Sequence, residues 1–286
     1  MSMRFPAPAK LNLFLHVTGR RSDGYHLLQT VFQFVDLCDY IDIEVRDDGR
    51  IGRMRALEGI SEEEDLVLRA ARLLQEATGT RLGANLAVEK HIPIGGGLGG
   101  GSSDAATTLL ALNRLWNTGL ALDALAALGL RLGADVPIFI HGRNAWAEGV
   151  GEVLTPIEIS PSWYVLIHPG VSVQTAQIFA SKELTRNTIP LKIAPFSRGL
   201  GHNDLELVVR DKFPQVAQAL DWLKTHGDAR MSGSGACVFA AFPSEAEARS
   251  VAQGIPPEWR GFVVRSLDRH PLKFDESVLV GSRQAG

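Results

Sequence analysis

The residues of this 286-residue chain best suited to chemistry gather around glycine. Pro93-Ile94-Gly95-Gly96-Gly97-Leu98-Gly99-Gly100-Gly101-Ser102-Ser103 stands between a short predicted strand, 85–88, and a predicted helix that Ser102 or Ser103 is placed to cap, running to about Trp116. Without Cβ atoms, successive backbone N–H groups can turn inward together, and the start of a helix adds its positive dipole end. The product is an anion cradle, and phosphate is its natural occupant. As a plain linker, six glycines within Gly95–Gly101 would cost more backbone entropy than a tight loop requires.

Gly95, Gly97 and Gly100 also satisfy the dinucleotide pattern G-x-G-x-x-G. A dinucleotide-binding unit follows its helix with a strand and an acidic residue, whereas here a second helical pattern, 122–132, comes next. The G-x-x-x-x-G-K-[ST] loop and the H-R-D and D-F-G pairs of protein kinases are missing.

Other reactive side chains have two readings each. Leu11, Leu13, Leu15 and Val17 alternate with Lys10, Asn12, Phe14 and His16, a strand with one buried face that projects Lys10 and Asn12 from the same side. Lys10 is then either a strand-end surface lysine or a cation aimed at a site. Asp135, followed by Val136-Pro137, reads alone as a helix N-cap, and a proton acceptor is the alternative. Tyr25-His26, after the Asp23-Gly24 turn, either packs a hairpin or offers an aromatic face and a ring nitrogen to a ligand.

The elements that must position these residues follow from pattern. Val31–Val35 and Tyr40–Val45 read as separate strands; Ser61 with Glu64 has capping-box spacing ahead of the helical run Leu66–Leu74, and Gly79 supplies its stop. The glycine cluster Gly149–Gly151 suggests two domains, 1–148 and 149–286. Beyond it strands and helices resume, ending in a helix capped by Ser244 with Glu247.

Composition excludes other classes. A net charge of −3 and pI near 6.2 provide no basic field for nucleic acid. Cys38 and Cys237 make neither a disulfide framework nor a zinc spacing, which suits a reducing cytoplasm. No signal peptide is expected, because the apolar stretch Leu11–Val17 is short and interrupted. The uncharged stretch 159–181 is broken by prolines, a glycine and a histidine, so no membrane span is expected.

Taken together, the motifs resemble the GHMP kinases. The Pro93–Ser103 loop is similar to the family's Pro-x-x-x-Gly-Leu-Gly-Ser-Ser loop, Pro8-Ala9-Lys10-Leu11-Asn12-Leu13 to its N-terminal motif, and Met231-Ser232-Gly233-Ser234-Gly235-Ala236-Cys237 to its C-terminal glycine motif. Gly19–His26 and Gly133-Ala134-Asp135-Val136-Pro137 resemble one member above the others, whose substrate is a cytidylyl methyl-erythritol in the non-mevalonate route to isoprenoid precursors. The resemblance implies a mixed α/β fold of two domains with the active site between them, using ATP and Mg²⁺.

It further implies that Pro93–Ser103 holds the ATP phosphates, with Ser103 a candidate Mg²⁺ ligand. Asp135 takes the position of general base and Lys10 that of its cationic partner, beside Asn12. Tyr25 and Phe179 would stack on cytosine, His26 would read its edge, Thr175 would lie nearer the diphosphate, and Gly233–Ala236 would cap the substrate-side phosphates. The sequence departs from the family where Met231-Ser232 replaces a Thr-Gly type loop and where Asp65 stands in place of an asparagine near the adenine. Another GHMP kinase, or a nucleotide-binding sensor that kept the cradle, is the alternative; retention of Lys10 and Asp135 favours an enzyme.

Overall fold

The computed structural model describes residues 2–57, 59–192 and 199–272. In chain order these form β1 (Met3–Arg20), β2 (His26–Arg46), β3 (Ile51–Arg53), α1 (Leu66–Thr78), β4 (Gly83–Glu89), α2 (Gly100–Leu115), α3 (Leu122–Leu130), α4 (Val136–His141), β5 (Ala145–Glu148), β6 (Val153–Pro156), β7 (Trp163–His168), α5 (Thr175–Phe179), α6 (Glu206–Lys212), α7 (Pro214–Lys224), β8 (Ala229–Met231), β9 (Val238–Phe242), α8 (Glu245–Ala252) and β10 (Arg260–Leu267). The strands join in the order β3-β4-β2-β10-β7-β9-β8, with β1 on β2, and β5 pairing both β2 and β6.

The long hairpin of β1 and β2 is the frame. Val31–Val35 and Tyr40–Val45, expected as two strands, are one: Pro8 faces Cys38 while Ala9 faces Val35, so a bulge absorbs Asp36 and Leu37 and the strand continues. The single buried face expected for β1 is also corrected. Lys10, Asn12 and His16 are as buried as Leu11 and Leu13, because β1 lies at a seam where three cores meet. Ala7 joins the core of the N-terminal half, Ala9, Leu11, Leu13 and Phe14 join a shared core with Tyr164 and Phe239, and Leu15 and Val17 join the core of the C-terminal half.

The chain crosses this seam more than once. After β7, β8 and β9, β10 returns to pair Ser266 with Val35 and Leu267 with Phe34. Asn203 bridges to Leu15, and Leu15 N–H donates to His202 O at 2.9 Å. A site on β1 is therefore held from both halves.

Helix starts differ from expectation in two places. The N-cap of α1 is Asp65, whose carboxylate accepts from Val67 N–H at 2.9 Å, while Ser61 and Glu64 pair with each other in the preceding turn. No serine caps α2; it starts at Gly100 after Gly99 in a left-handed conformation, which leaves its first amides without side-chain partners. Gly79 ends α1, and Ser244 with Glu247 caps α8, as their spacing predicts.

Candidate active site

A cleft of about 920 Å³ runs from Tyr25 and His26 at one end, past Lys10, Asp135 and the glycine loop, to Leu57, Asp65 and Lys90 at the other. Its floor is the loop before α2. Gly97 has φ +72°, and a Cβ there would collide with Ser232 O; at Gly99, also φ +72°, it would lie 2.9 Å from the Phe139 ring and 3.0 Å from Lys10 Cε. Both positions need the left-handed conformation and the missing side chain.

The loop's carbonyls are spoken for. Ala236 N–H donates to Gly95 O at 3.0 Å, Cys237 N–H to Gly96 O at 3.1 Å, Ser232 Oγ to Gly97 O at 3.0 Å, and Lys10 N–H to Leu98 O at 3.0 Å. The amides of Gly97, Leu98 and Gly99 donate to no described residue. With carbonyls pinned behind and N–H groups free beside the start of α2, the loop is built to receive an anion. The second glycine motif thus braces the first from behind. Gly233 and Gly235 also line the cleft, and Ser234 Oγ lies 2.7 Å from Thr175 Oγ1.

Lys10 stands at the centre. Its ammonium, on a side chain 4% exposed, lies 3.2 Å from Asp135 Oδ2, 3.2 Å from Gly97 O and in hydrogen-bonding contact with Asn12 Oδ1, over the Phe32 ring. These three acceptors match the three N–H donors of an ammonium. Asn12 is held in turn: its Nδ2 donates to Thr30 Oγ1 at 2.9 Å and its backbone N–H to Ser232 Oγ at 3.1 Å. Asp135 occupies the N-cap position of α4, yet its side chain makes no capping bond, which corrects the capping reading; the carboxylate turns to Lys10 instead. The other oxygen, Oδ1, meets no described donor, and the partly exposed side chain lines the cleft.

Toward the other end, Tyr25 is 65% exposed and His26 packs on Phe179 with ring centroids 5.0 Å apart. Thr175 and Phe179 begin and end α5 and line the same cleft. Ile94, at 59% exposure, marks the cleft mouth.

Ser103 is wholly buried and lines none of the cleft, whereas Ser102 does. The chemistry of the donor set fits Mg²⁺ held mainly by phosphate oxygens and water, the cation's usual arrangement beside a nucleotide. Ser102 and Asp135 are among the oxygen-bearing residues that line the cleft next to the glycine loop, as is Asp104.

Several residues at the site carry no motif. Asp65 ion-pairs with Arg53 at 2.7 Å, so the aspartate that replaces an asparagine has its own cation. Lys90 bridges Asp39 and Asp104, the latter at 2.7 Å, while Asp39 also accepts from the amides of His91 and Ile92 at 2.6 and 2.8 Å. Burial pushes the Asp104 carboxyl up to about 7, Lys90 opposing and Asp39 adding to the rise. Arg186 holds His26. The charge run Glu89-Lys90-His91 just before the loop was the visible signal for Lys90; nothing local marks Arg186, which lies 160 residues from its partner.

Comparison with known proteins bears on the whole chain. Residues 65–143 match the GHMP kinases N terminal domain and residues 191–259 the GHMP kinases C terminal domain. The 4-diphosphocytidyl-2-C-methyl-D-erythritol kinase of Thiobacillus denitrificans is 61% identical over 272 residues, covering 95% of this chain and 98% of its own. The chain belongs to the 4-diphosphocytidyl-2-C-methyl-D-erythritol kinase family. A crystal structure of 4-(cytidine 5'-diphospho)-2C-methyl-D-erythritol kinase superposes with a TM-score of 0.80 at 35% identity, covering 92% of this chain and 99% of that one. A crystal structure of mevalonate kinase shares the fold, with a TM-score of 0.68 at 17% identity over 93% of this chain and 100% of that one. The two-domain GHMP kinase architecture expected from the motifs is therefore the fold of this family member. The position 148/149, read from sequence as a domain boundary, falls between the two matched segments. Among the described residues, no helix is long and apolar enough to cross a membrane.

Proposed function

We propose that this chain transfers the γ-phosphoryl group of ATP to the 2-hydroxyl of 4-diphosphocytidyl-2-C-methyl-D-erythritol, giving the 2-phosphate and ADP for non-mevalonate isoprenoid precursor synthesis in the cytoplasm. The observation that carries the reading is the Lys10–Asp135 pair, 3.2 Å apart, beside a loop whose amides are free for phosphate. The names of relatives that cover nearly the whole chain support the substrate.

In this reading the loop Pro93–Ser102 receives the ATP phosphates, with Ser103 buried behind it, and Asp135 Oδ1 accepts the hydroxyl hydrogen bond and, late in transfer, its proton. The Lys10 ammonium, held by Asn12 and Gly97 O, orients the Asp135 carboxylate and faces the charge that spreads over the transferring group. Ser102, which lines the cleft beside the glycine loop, would help hold Mg²⁺, and the cation when bound would supply neutralisation of phosphate charge. Tyr25 and Phe179 offer stacking faces to cytosine, His26 reads its edge, and Thr175 with the second glycine motif lies toward the diphosphate. The two halves, divided near residue 148, close on this cleft. No nucleic acid or membrane partner enters the reading.

A phosphoryl-transfer screen tests it. Purified protein with ATP and Mg²⁺ is offered the cytidylyl substrate, mevalonate, homoserine and galactose in parallel. Turnover confined to the cytidylyl alcohol is expected. Preference for any of the other three would move the chain to another GHMP activity, and turnover of none would leave a nucleotide-binding sensor.

A further inference from the structure

We infer that Arg186 is a positioning residue that fixes His26 as a neutral imidazole carrying its hydrogen on Nδ1, so that the nitrogen offered to the pyrimidine is a donor. This deepens the function proposed above and rests on its placement of cytosine beside His26. Arg186 Nε–H donates to His26 Nε2 at 3.0 Å. A guanidinium has donors only, so the imidazole nitrogen facing it must be the acceptor, and in a neutral ring the hydrogen then sits on the other nitrogen.

Arg186 is itself locked. Nη1 donates to Leu184 O at 3.0 Å, and Nη2 to Phe179 O at 3.1 Å and to Ser181 O at 2.5 Å. The guanidinium meets no carboxylate among the described residues, only these carbonyls and the imidazole. The carbonyls clamp the end of α5, so one side chain fixes both His26 and Phe179, the ring on which His26 packs. Burial lowers the His26 pKa, and the nearby charges of Arg186 and Arg20 lower it further, which keeps the imidazole neutral. His26 Nδ1 meets no described hydrogen-bond partner and the ring lines the cleft.

A fixed N–H donor selects between pyrimidines. Cytosine carries an unprotonated ring N3, an acceptor, where uracil carries N3–H. The Nδ1–H group can pair with the first and opposes the second, leaving two donors unpaired on closure. An imidazole free to change tautomer would accept from uracil equally well. Arg186, which need not touch the base, thereby sets the discrimination.

The test combines nitrogen-15 spectra of the His26 ring with calorimetric titration of CDP and UDP. Wild-type protein is expected to show His26 protonated on Nδ1. Arg186→Ala is expected to shift the hydrogen to Nε2 and to lower the CDP-over-UDP affinity ratio by about tenfold or more, the loss of roughly one hydrogen bond's discrimination, with ATP affinity unchanged. A wild-type ring protonated on Nε2, or an unchanged ratio in Arg186→Ala, overturns the inference; the wild-type spectrum decides even if the variant misfolds. His26→Ala separates the two levels. If it weakens CDP binding while the tautomer result fails, only the role of Arg186 falls, and if it leaves CDP binding intact, the cytidine pocket falls and this inference with it.

Discussion

The floor and the rim of the cleft are built differently. At the floor, Lys10 is buried with all three of its N–H donors matched, Asn12 is bonded at backbone and side chain, and the loop carbonyls are tied to β1 and to the second glycine motif. At the rim, Tyr25 is mostly exposed, and His26 is held by one hydrogen bond and one ring contact. The floor is over-determined and the rim is lightly held. Phosphoryl transfer needs charges placed to within fractions of an ångström, whereas base selection needs a face and an edge that open to admit a ligand. Floor changes should therefore act on kcat or on folding of the loop, and rim changes on KM.

The largest break should come at Lys10 and Asp135. Asp135→Asn removes the proton acceptor but no cap, since the carboxylate makes no capping bond, so the fold should be retained. Steady-state kinetics should show kcat lowered by about 10²–10⁴-fold, the range for a positioned acid or base, with ATP binding little changed. Lys10→Met should lower kcat more than it weakens ATP, although the buried methionine leaves Asp135 unpaired. Near-native kcat in both would remove the pair from the chemistry.

Next is the loop itself. Gly97→Val and Gly99→Val each place a branched side chain at positive φ, against Ser232 O in the first case and Phe139 with Lys10 in the second. Calorimetry on folded protein should find ATP binding lost. Undiminished affinity would return the loop to a plain helix entry.

At the rim the effect should be smaller and of another kind. Tyr25→Ala removes a stacking face worth roughly 1–3 kcal/mol by analogy with aromatic platforms for single strands, so KM for the cytidylyl substrate should rise about tenfold to a hundredfold. KM for ATP should stay near its original value, because Tyr25 lies at the opposite end of the cleft from Asp65 and Lys90.

The smallest expected effect sharpens the picture of the floor. Asp104 shares Lys90 with Asp39, and burial raises its carboxyl from 3.8 to about 7. A carboxyl raised on folding binds its proton more tightly in the native state, so its contribution declines as pH rises from about 4 through 7. Denaturant unfolding of the wild type should lose about 1 kcal/mol relative to Asp104→Asn between pH 6 and 8. A parallel pH dependence in the two proteins would mean that Asp104 stays ionised throughout.

Sequence reached the floor more readily than the rim. Glycine spacing exposed the cradle because backbone geometry there demands one residue type, and alternation in β1 put Lys10 beside Asn12. The same alternation misjudged burial, since a strand at a seam between cores hides both faces and looks, residue by residue, like one with a wet side. Asp135 before Val136-Pro137 carries a cap signature, and only the position of Lys10 in space shows where the carboxylate turns. The serines suggest a cap three or four residues past the true start of α2, because Gly99 in a left-handed conformation begins the helix without a side-chain cap. Arg186 was illegible for a simpler reason: its partner lies 160 residues away, and no local period encodes such a pairing, while for Lys90 the charge run marks the residue but not its bridge between Asp39 and Asp104.

The independence of floor and rim can be measured in one double-mutant cycle. Wild type, Asp135→Asn, Tyr25→Ala and the double variant are compared by kcat/KM for the cytidylyl substrate at saturating ATP. If proton acceptance and base stacking are separate functions of a single cleft, the loss in the double variant equals the product of the single losses within about twofold, the usual tolerance for uncoupled sites. A double variant no worse than Asp135→Asn alone would contradict the account, because Tyr25 would then act only through the residues that carry the chemistry.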